Sequence, residues 1–499
     1  MLGCGLAAGA RKDLEALVQV TGTVGAYAHV PSSSAQRIPS PTSLVESTVP
    51  GGEEGFLDDL VTADADHGWN YGNHPNLTQS QRRKLKDLLI SLKPSFAYTV
   101  ADLPGYGGEV GPFTCSLADS NPIVDKPRRY SPLEVSVMDE KFADLLNAGI
   151  ITPVKGATRY ASCPVVAAKK DANGQWVDKR VAIDYRKPNT KTQADPYRTK
   201  LPDELFQELG DSRYFSKVDL RAGFHQIPVA PEDQEKTTFW WGNKLFKYVR
   251  LSFGLRNATA HFQRVMDHEI AAAGLTGNVC CFVDDLLIHS ATFEEHLVHL
   301  KVMLQRMHSV GLRAHPDKSV FAAASVEFLG HLISSYGVSP HEAKVAAITK
   351  MAAPQNVSDL RSVLGLFNYY RQYVPNFSAL ASPMNALLSK DVPWSWDLPQ
   401  ERALAELKEE LCQEGRALRR AEPDLPYLLY TDWSKQGVGA VLAQLHPDGK
   451  EYMIACISRS LNKHEANYPS TLSIGGASRW HPMQQGMRGG ESSARRDSS

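Results

Sequence analysis

The sequence predicts an α+β fold, because short strands mix with amphipathic helices and few of the repeats that build parallel sheets are present. The chain has 499 residues, and a prior of about 150 residues per domain gives roughly three folded units. Apolar residues make up 42% and charged residues 22%, which is typical of globular proteins and argues against a largely disordered or fibrous chain. The apolar runs are too short to cross a membrane, so no membrane partner is expected.

Charge and cysteine content restrict the function classes further. Lys and Arg number 54 against 55 Asp and Glu, so any basic surface must be local. One such region is residues 155–200, where 11 Lys and Arg face 4 Asp and Glu. A charge-rich segment is more often a plain solvated face than a nucleic-acid surface.

The cysteine content restricts the compartment. Seven cysteines without a CxxC pair exclude a disulfide framework and favour a reducing intracellular compartment, the cytoplasm or the nucleus.

The first part of the chain is predicted to pass from a disordered arm into helices. The arm over residues 1–76 is predicted to be largely disordered. Residues 30–55 are rich in Ser, Pro and Gly and then turn acidic, so they offer little apolar surface to offset the entropy of ordering. Thr78 and Gln81 form a capping box at the start of the first helix. A second helix is predicted over residues 132–149, with an inner face formed by Val135, Phe142, Leu145 and Leu146.

Short strands and hairpins dominate from residue 150 onward. A strand is predicted over residues 214–220, and Gly242-Asn243 suits the primed turn of a following hairpin. A helix begins near Asn257 and is predicted to bury one face, which consists of Ala258, Phe262, Val265, Met266 and Ile270. Thr292 and Glu295 form a capping box for the next helix.

The last third of the chain is predicted to be helical and then to return to strands. Ser358 is the expected N-cap of a helix over residues 359–373. Strands are predicted over residues 427–430, 438–444 and 452–458. Residues 475–499 are rich in Gly, Ser and Arg without periodicity, so they are predicted to form a disordered tail.

Three aspartates carry the strongest chemical signal. Asp284 and Asp285 lie between two apolar strand-like arms, so they are predicted at the tip of a buried hairpin, where buried charge needs a counterion. An isolated Asp-Asp pair is more often an ordinary turn. Asp219 ends the strand over residues 214–220, and if the two elements are neighbours, three carboxylates converge. Such a set suits two Mg²⁺ ions about 4 Å apart, which activate a hydroxyl and stabilise a leaving oxygen in phosphoryl transfer.

At these residues the chain resembles a known family. Its ordered motifs are VAIDYR at residues 181–186, FSKVDL at 215–220, FGLRNA at 253–258, FVDD at 282–285, FLGH at 328–331, LRSVLG at 360–365 and NYYR at 368–371. Together they resemble the reverse transcriptase of gypsy-type LTR retrotransposon Pol polyproteins, over about residues 77–471.

The resemblance implies a right-hand polymerase of fingers, palm and thumb, with a connection region and a truncated RNase H-like domain. The implied boundaries are a helical lead-in to the fingers over 77–154, fingers and palm over 155–334, thumb and connection helices over 335–424, and a partial RNase H-like domain over 425–474. Asp219, Asp284 and Asp285 would be the catalytic and metal-holding carboxylates. The backbone carbonyl of Leu220 would add a ligand, and the cofactor would be two Mg²⁺ or Mn²⁺ ions.

The resemblance also implies a nucleotide pocket and a primer-holding segment. Phe224 matches the steric gate that selects deoxynucleotides, a position where the family usually has Tyr; without the resemblance, a core aromatic is the more common explanation. Arg180 and Lys169, or its neighbour Lys170, would contact the triphosphate. Phe253 and Gly254 would line the pocket. Gly330 and His331 would hold the primer terminus, or could equally be a structural strand end.

The RNase H-like region departs from the family pattern. Asp432 matches its first catalytic acid, but Ile474 stands where a catalytic Glu is expected, and the pattern is lost after Thr471. One carboxylate cannot hold a metal pair, so this domain is expected to be truncated and inactive.

The function expected is an RNA-directed DNA polymerase that uses deoxynucleoside triphosphates and a primed RNA or DNA template, alongside other parts of a Pol polyprotein. The rival hypothesis is a non-catalytic nucleic-acid-binding remnant, which would use the basic segment over residues 155–200.

Overall fold

The computed structural model describes residues 69–71, 74–170, 176–412, 417–422, 424–434, 437–462 and 465. These residues divide into two compact units, an N-terminal unit that ends at Phe328 and a C-terminal unit that begins at Leu329. The predicted tail over 475–499 and most of the predicted arm over 1–76 lie outside the described residues.

The N-terminal unit mixes helices with short strands throughout. Its helices are α1 (Gln79–Ser91), α2 (Pro132–Asn147), α3 (Arg186–Lys191), α4 (Pro202–Gln207), α5 (Ala258–Ala272) and α6 (Phe293–Ser309). Its strands are β1 (Asn70–Tyr71), β2 (Ile123–Val124), β3 (Ile151–Pro153), β4 (Tyr160–Ala161), β5 (Pro164–Lys170), β6 (Trp176–Ile183), β7 (Tyr214–Asp219), β8 (Phe239–Trp241), β9 (Lys244–Tyr248), β10 (Val279–Phe282), β11 (Asp285–Ser290), β12 (Val320–Ala323) and β13 (Ser325–Phe328).

A five-stranded sheet in the order β1-β12-β7-β11-β10 lies at the centre of this unit. Strands β7, β10, β11 and β12 pair antiparallel, and β1 joins β12 in parallel. Helix α6 packs on β7 and β11, and α5 packs on β10. Apolar side chains fill much of the space between them, and Val218, Phe262, Leu286 and Leu300 are fully buried. Burying such side chains contributes about 1.5–3 kcal/mol each, which rigidly supports the strand ends.

Local sequence signals account well for the helices. Capping boxes form at Thr78 with Gln81 and at Thr292 with Glu295, as predicted, and a further one forms at Ser131 with Glu134. The predicted inner face of α5 is confirmed, since all five of its residues are buried.

The inner face predicted for α2 is partly wrong. Phe142 is buried, but Val135 is exposed, and Val137 and Met138 are buried instead. Both patterns satisfy helical spacing, and only the tertiary contact against β3 and β6 selects one of them.

The N-terminal boundary also differs from the prediction. Trp69 is fully buried in the core, and Asn70 pairs with Val320, so ordered structure begins before Leu77. The partner strand is remote in sequence, which is why local composition did not reveal this contact.

The C-terminal unit begins with strands, continues as helices and ends with strands. Its strands are β14 (His331–Ser334), β15 (Gly337–Pro340), β16 (Leu418–Arg419), β17 (Tyr427–Trp433), β18 (Gly437–Leu445) and β19 (Glu451–Ser460). Its helices are α7 (Glu342–Thr349), α8 (Val357–Tyr369), α9 (Phe377–Leu380), α10 (Ser382–Ala386) and α11 (Leu398–Cys412).

Two layers of this unit have their own cores. The helices bury Leu360, Phe367, Met384 and Leu407, and β17, β18 and β19 form an antiparallel sheet.

The predicted N-cap Ser358 is wrong. Asn356 caps α8 instead, and its side chain accepts a hydrogen bond from the backbone N–H of Asp359. Asn and Ser are about equally good caps, so the sequence alone did not separate these two positions.

Helices long and apolar enough to span a membrane are absent from the part of the chain that the structure describes. The six cysteines within that part form no disulfide bonds with one another.

Candidate active site

The ladder between β7 and β11 brings two of the predicted carboxylates opposite each other. Asp219 is the last residue of β7 and Asp285 the first of β11, and the two are direct cross-strand partners. Direct partners present their side chains on the same face of a sheet, with Cβ atoms about 4.5–5.5 Å apart. Asp284 precedes Asp285 in the turn of the β10–β11 hairpin. Carboxylates that are remote in sequence therefore meet at one end of the central sheet, where β7 ends and β11 begins. This end of the sheet is called the edge below.

A buried glutamine of α5 holds the tip of that hairpin. Val283 has a positive φ of 58°, a strained conformation for a β-branched residue. Its backbone N–H donates to Gln263 Oε1 at 2.8 Å, and Gln263 Nε2 donates to the carbonyl of Cys281 at 3.2 Å. Strain of this kind persists where surrounding contacts over-determine the backbone. Gln263 is therefore part of what fixes the position of Asp284.

Two lysines offset the negative charge at this edge. Lys217 Nζ lies 3.1 Å from Asp285 Oδ1, and Lys318 Nζ lies 4.0 Å from Asp219 Oδ1. Burial raises the pKa of Asp219; Lys318 lowers it, and the charges of Asp285 and Asp284 raise it further. Burial also raises the pKa of Asp284. A cation bound here would favour the ionised carboxylates, because opposite charge lowers a carboxyl pKa.

The donor set fits a divalent metal that also binds a phosphate-bearing substrate. Carboxylate oxygens are what Mg²⁺ prefers, and it is usually held by one or two carboxylates together with substrate phosphates. Within the described ranges, no group of three or more His, Cys, Asp or Glu side chains is placed so that it could hold a metal ion by itself. Asp219 and Asp285, which face each other across the ladder, are the carboxylate pair that could hold one together with substrate phosphates.

The backbone next to Asp219 is tied to a neighbouring segment. The carbonyl of Asp219 accepts a hydrogen bond from the N–H of His315 at 2.7 Å, and Leu220 forms a bridge with Ala314. The N–H of Arg221 donates to the carbonyl of Arg313. Leu220, whose carbonyl is a predicted metal ligand, therefore lies in a stretch of backbone that is fixed on both sides.

The loop after β7 brings the predicted gate next to the carboxylates. Ala222 is left-handed with φ 47°, and a short 3₁₀ helix covers Gly223–Gln226. A Cβ added to Gly223 would lie 3.2 Å from the Cβ of Asp284. Phe224 follows directly; its ring packs against Phe253 at 4.8 Å and Phe262 at 5.3 Å between centroids. Phe224 is thus a buried aromatic at the edge of the site, and Phe253 is 47% exposed beside it.

The remaining predicted pocket residues come from two other segments of the N-terminal unit. Gly254 has φ 90° and its carbonyl accepts a hydrogen bond from Asn189 Nδ2 at 2.7 Å. Lys169 and Arg180 lie in the antiparallel β5–β6 hairpin, where Ala167 pairs with Arg180. The side chains of residues 167–180 and the turn over 171–175 lie outside the described residues.

The basic segment over residues 155–200 is less positive than its sequence indicates. Among its described side chains, ion pairs link Lys187 to Asp125, Lys191 to Asp119, Arg198 to Glu204 and Lys200 to Glu208. Arg186 and Arg128 both bind Asp184 and hold its pKa well below the ordinary value, with the hydrogen bond from Arg186 the largest cause. Much of the predicted charge excess is thus neutralised within the fold.

Comparison with known proteins identifies the family. Residues 168–333 match the reverse transcriptase (RNA-dependent DNA polymerase) family, and residues 396–474 match the RNase H-like domain found in reverse transcriptase. The chain belongs to the LTR retrotransposon reverse transcriptases. The resemblance seen in the sequence is confirmed.

Two relatives show how much of a polyprotein this reverse transcriptase represents. It is 34% identical over 409 residues to the retrovirus-related Pol polyprotein from transposon gypsy of Drosophila melanogaster, covering 78% of this chain and 38% of that one. It is 32% identical over 345 residues to the transposon Tf2-3 polyprotein of Schizosaccharomyces pombe, covering 68% of this chain and 25% of that one. The chain therefore spans well under half the length of either relative.

Solved structures support the predicted fold class. The foamy viral protease-reverse transcriptase dRH in complex with ds DNA matches with a TM-score of 0.69 at 21% identity, covering 81% of this chain and 70% of that one. The same viral enzyme in complex with RNA/DNA hybrid gives 0.68 at 21% identity, over 82% and 54% of the two chains. The α+β right-hand polymerase fold with an RNase H-like domain is confirmed.

The predicted primer-holding residues of this reverse transcriptase lie in the C-terminal unit. Gly330 has φ 73°, and its carbonyl accepts a hydrogen bond from the Tyr370 hydroxyl at 3.1 Å. His331 is buried, with its ring 5.3 Å from those of Tyr369 and Tyr370 and 5.7 Å from that of Tyr373. Burial lowers the pKa of His331 to about 4. These contacts give both residues a clear structural role.

The predicted RNase H acid has different surroundings from those of Asp219. Asp432 lies on β17 and pairs with Gly439 of β18. Its side chain is exposed and accepts a hydrogen bond from Asn376 Nδ2 at 2.7 Å. A Cβ on Gly439 would clash with Asn376 Oδ1 at 2.1 Å, so glycine provides the room for this contact.

Three residues at the site were missed by sequence reasoning. Lys217 could have been predicted from the sequence. It lies two residues before Asp219 on the same strand, and residues two apart on a strand share a face. Gln263 and Lys318 had no such signal, because each reaches the site through a contact between distant segments.

Proposed function

We propose that this chain is an RNA-directed DNA polymerase, which adds deoxynucleotides to a primer 3′-hydroxyl by two-metal-ion catalysis. The observation that carries the proposal is the direct cross-strand pairing of Asp219 with Asp285, with Asp284 in the adjoining turn. Like charges in this register are destabilising, so a structural role alone does not explain them. A site that binds cations and phosphates explains why the two carboxylates face each other.

Asp219, Asp284 and Asp285 would hold two Mg²⁺ or Mn²⁺ ions, with the carbonyl of Leu220 as a further ligand. When bound, such ions lower the pKa of an attacking hydroxyl and stabilise the leaving oxygen of an in-line phosphoryl displacement. The chain itself supplies the alignment, because β7, β11 and the Gln263-bound turn are fixed by the packed core. Preorganised geometry of this kind lowers the barrier by avoiding reorganisation during the reaction.

The nucleotide would bind between the carboxylates and the loop after β7. Phe224 would exclude a 2′-hydroxyl by ring bulk, supported by its contacts with Phe253 and Phe262. Gly254 would line the same pocket, and Lys169 and Arg180 would contact the triphosphate. Charged donors suit this task because they form strong hydrogen bonds with phosphate oxygens.

The partners in this proposal are a primed RNA or DNA template, deoxynucleoside triphosphates and other parts of a Pol polyprotein. Gly330 and His331 would hold the primer terminus. The compartment would be intracellular, either the cytoplasm or the nucleus.

We propose that the RNase H-like region does not cleave RNA, because Asp432 pairs with a glycine and Ile474 replaces the expected catalytic Glu.

Primer extension tests the proposal directly. The purified chain is given a primed homopolymer RNA template and the complementary deoxynucleotide, with and without Mg²⁺ or Mn²⁺. Incorporation is expected only with metal, and Asp284→Asn is expected to lower it by about a hundredfold or more, a loss typical of removing one transition-state contact. Salt-sensitive binding of primer–template without incorporation would instead support the non-catalytic alternative.

A further inference from the structure

A second buried glutamine ties the gate loop to the backbone beside Asp219. Gln226 is fully buried. Its Nε2 donates to the carbonyl of Arg221 at 2.8 Å and to that of Arg313 at 2.9 Å, and its Oε1 accepts from the N–H of Arg313 at 2.6 Å. All three bonds go to backbone, so this side chain acts as a bridge between two segments.

The two bridged segments are the ones that matter for the proposed chemistry. The loop between Arg221 and Gln226 contains the gate Phe224. The other segment, Arg313 to His315, is bonded to β7, since His315 N–H donates to the carbonyl of Asp219. Gln226 therefore joins the gate to the same backbone that fixes the first carboxylate.

Other contacts each hold a single point of this loop. The His225 ring bonds to the carbonyl of Leu251 through Nδ1 at 2.9 Å, and the N–H of Arg221 donates to the carbonyl of Arg313 at 3.1 Å. Ala222 adopts a left-handed φ of 47°, which costs a non-glycine residue about 1 kcal/mol. The hydrogen bonds within the 3₁₀ turn are local, from His225 to Ala222 and from Ile227 to Phe224. The carbonyl of Gln226 accepts from the N–H of Tyr106 at 2.7 Å, which holds only the end of the loop. The Gln226 amide joins the two ends of the loop to each other, because it reaches back to the carbonyl of Arg221.

We infer that Gln226 is a positioning residue for sugar discrimination: its side-chain amide holds the loop so that Phe224 lies where a 2′-hydroxyl would clash. This inference rests on the proposed polymerase function. Without the bridge the loop relaxes toward an unstrained conformation and the ring withdraws. A displacement near 1 Å suffices to change a rate by about a hundredfold where reacting groups must be aligned.

The chain offers a matched control for the loss of these bonds. Gln444 is also fully buried and also makes three backbone hydrogen bonds. Its Nε2 donates to the carbonyls of Glu422 and Leu425 at 2.8 and 3.1 Å, and its Oε1 accepts from the N–H of Glu422 at 2.8 Å. It lies in the C-terminal unit, so the same loss occurs there without a gate loop.

The experiment compares the full-length wild type with Gln226→Met, Gln444→Met and Phe224→Ala. Single-nucleotide extension yields kcat and KM for a deoxynucleotide and for the matching ribonucleotide, and thermal melting reports stability. Gln226→Met is expected to reduce discrimination against the ribonucleotide by at least about tenfold, in the same direction as Phe224→Ala. Its effect on the deoxynucleotide is expected mainly in KM. Gln444→Met is expected to lower the melting temperature and keep wild-type discrimination.

Two results would overturn the inference, and they differ from a failure of the proposed function. Wild-type discrimination in a folded Gln226→Met chain would show that the amide only stabilises the fold. Equal loss of discrimination in Gln444→Met would show a general effect of instability. If the wild type fails to extend a primer with either nucleotide, the polymerase proposal itself fails. If Gln226→Met does not fold, Gln226→Glu, which keeps the size and one acceptor, is measured in the same way, and wild-type discrimination in it overturns the inference.

Discussion

Asp219 in the N-terminal unit and Asp432 in the C-terminal unit occupy similar local positions, each near the end of a strand in an antiparallel pair. They differ in what the neighbouring strand presents. Asp219 faces Asp285 across the ladder, and Asp432 faces Gly439. Asp219 lies near the lysine Lys318, whereas Asp432 is exposed and bonded to a neutral amide.

The difference shows that a catalytic site of this kind is made by strand register rather than by one motif. A single carboxylate with a neutral partner is a stable surface group. Two carboxylates in direct register cost free energy. Lys217 and Lys318 offset part of their charge, and the fold holds them in register by further means. In the N-terminal unit those means are the packed sheet and the Gln263 contact with the hairpin turn.

The largest expected effect is on catalysis, where Asp219→Asn and Asp432→Asn test the comparison directly. Asp219→Asn is expected to lower metal-dependent primer extension by about a hundredfold or more, because it removes a carboxylate that preorganises the site. Asp432→Asn is expected to leave extension unchanged. Rates are measured at saturating primer–template and nucleotide. Equal activity in the two variants would contradict the distinction drawn here.

A smaller effect is expected from loosening the hairpin turn rather than removing an acid. Gln263→Met removes the hydrogen bonds to Val283 N–H and to the Cys281 carbonyl. Leaving buried backbone groups unpaired costs about 1–3 kcal/mol, so the free energy of unfolding and the extension rate are both expected to fall. Chemical denaturation and primer extension check this. Gln444→Met serves as the control, with lower stability but an unaltered hairpin; equal extension rates in the two variants would refute the role of Gln263.

How much of this was predictable depends on how local the cause is. The capping boxes at Thr78 and Thr292 and the buried face of α5 follow from residues within a few positions of each other, and all were predicted correctly. The burial of Trp69 was not predicted, because it depends on a strand pair between residues far apart in sequence. The three aspartates were visible as motifs. Their register and the position of Lys318 belong to tertiary structure, which no spacing rule contains, whereas Lys217 follows from its two-residue spacing from Asp219 on β7.

The smallest expected effect concerns pH and lies behind the same sheet. His296 is fully buried and bonded to Ser216 of β7 at 2.7 Å. Burial, followed by the charges of His299, His289 and His74, lowers its pKa to about 3. The unfolded state binds a proton near pH 6.5 and the folded state does not, so stability is full above that pH and is lost as pH falls toward 3.

Thermal and chemical unfolding at pH 8 and pH 5 measure this effect. His296 is expected to make the free energy of unfolding about 2 kcal/mol lower at pH 5 than at pH 8. His296→Gln is expected to reduce that difference, and His308→Gln, which alters an exposed histidine, is expected to leave it unchanged. An equal pH dependence in wild type and His296→Gln would contradict the assignment.

Binding of Mn²⁺ to the full chain, followed by the loss of the free-ion electron paramagnetic resonance signal, tests the central claim most directly. The account predicts that Asp219→Asn and Asp284→Asn each weaken Mn²⁺ binding, although the two residues come from separate elements, and that Asp432→Asn does not. Unchanged Mn²⁺ binding in Asp219→Asn, with Asp284→Asn weakened, would show that the two strands do not share a metal site and would contradict the account.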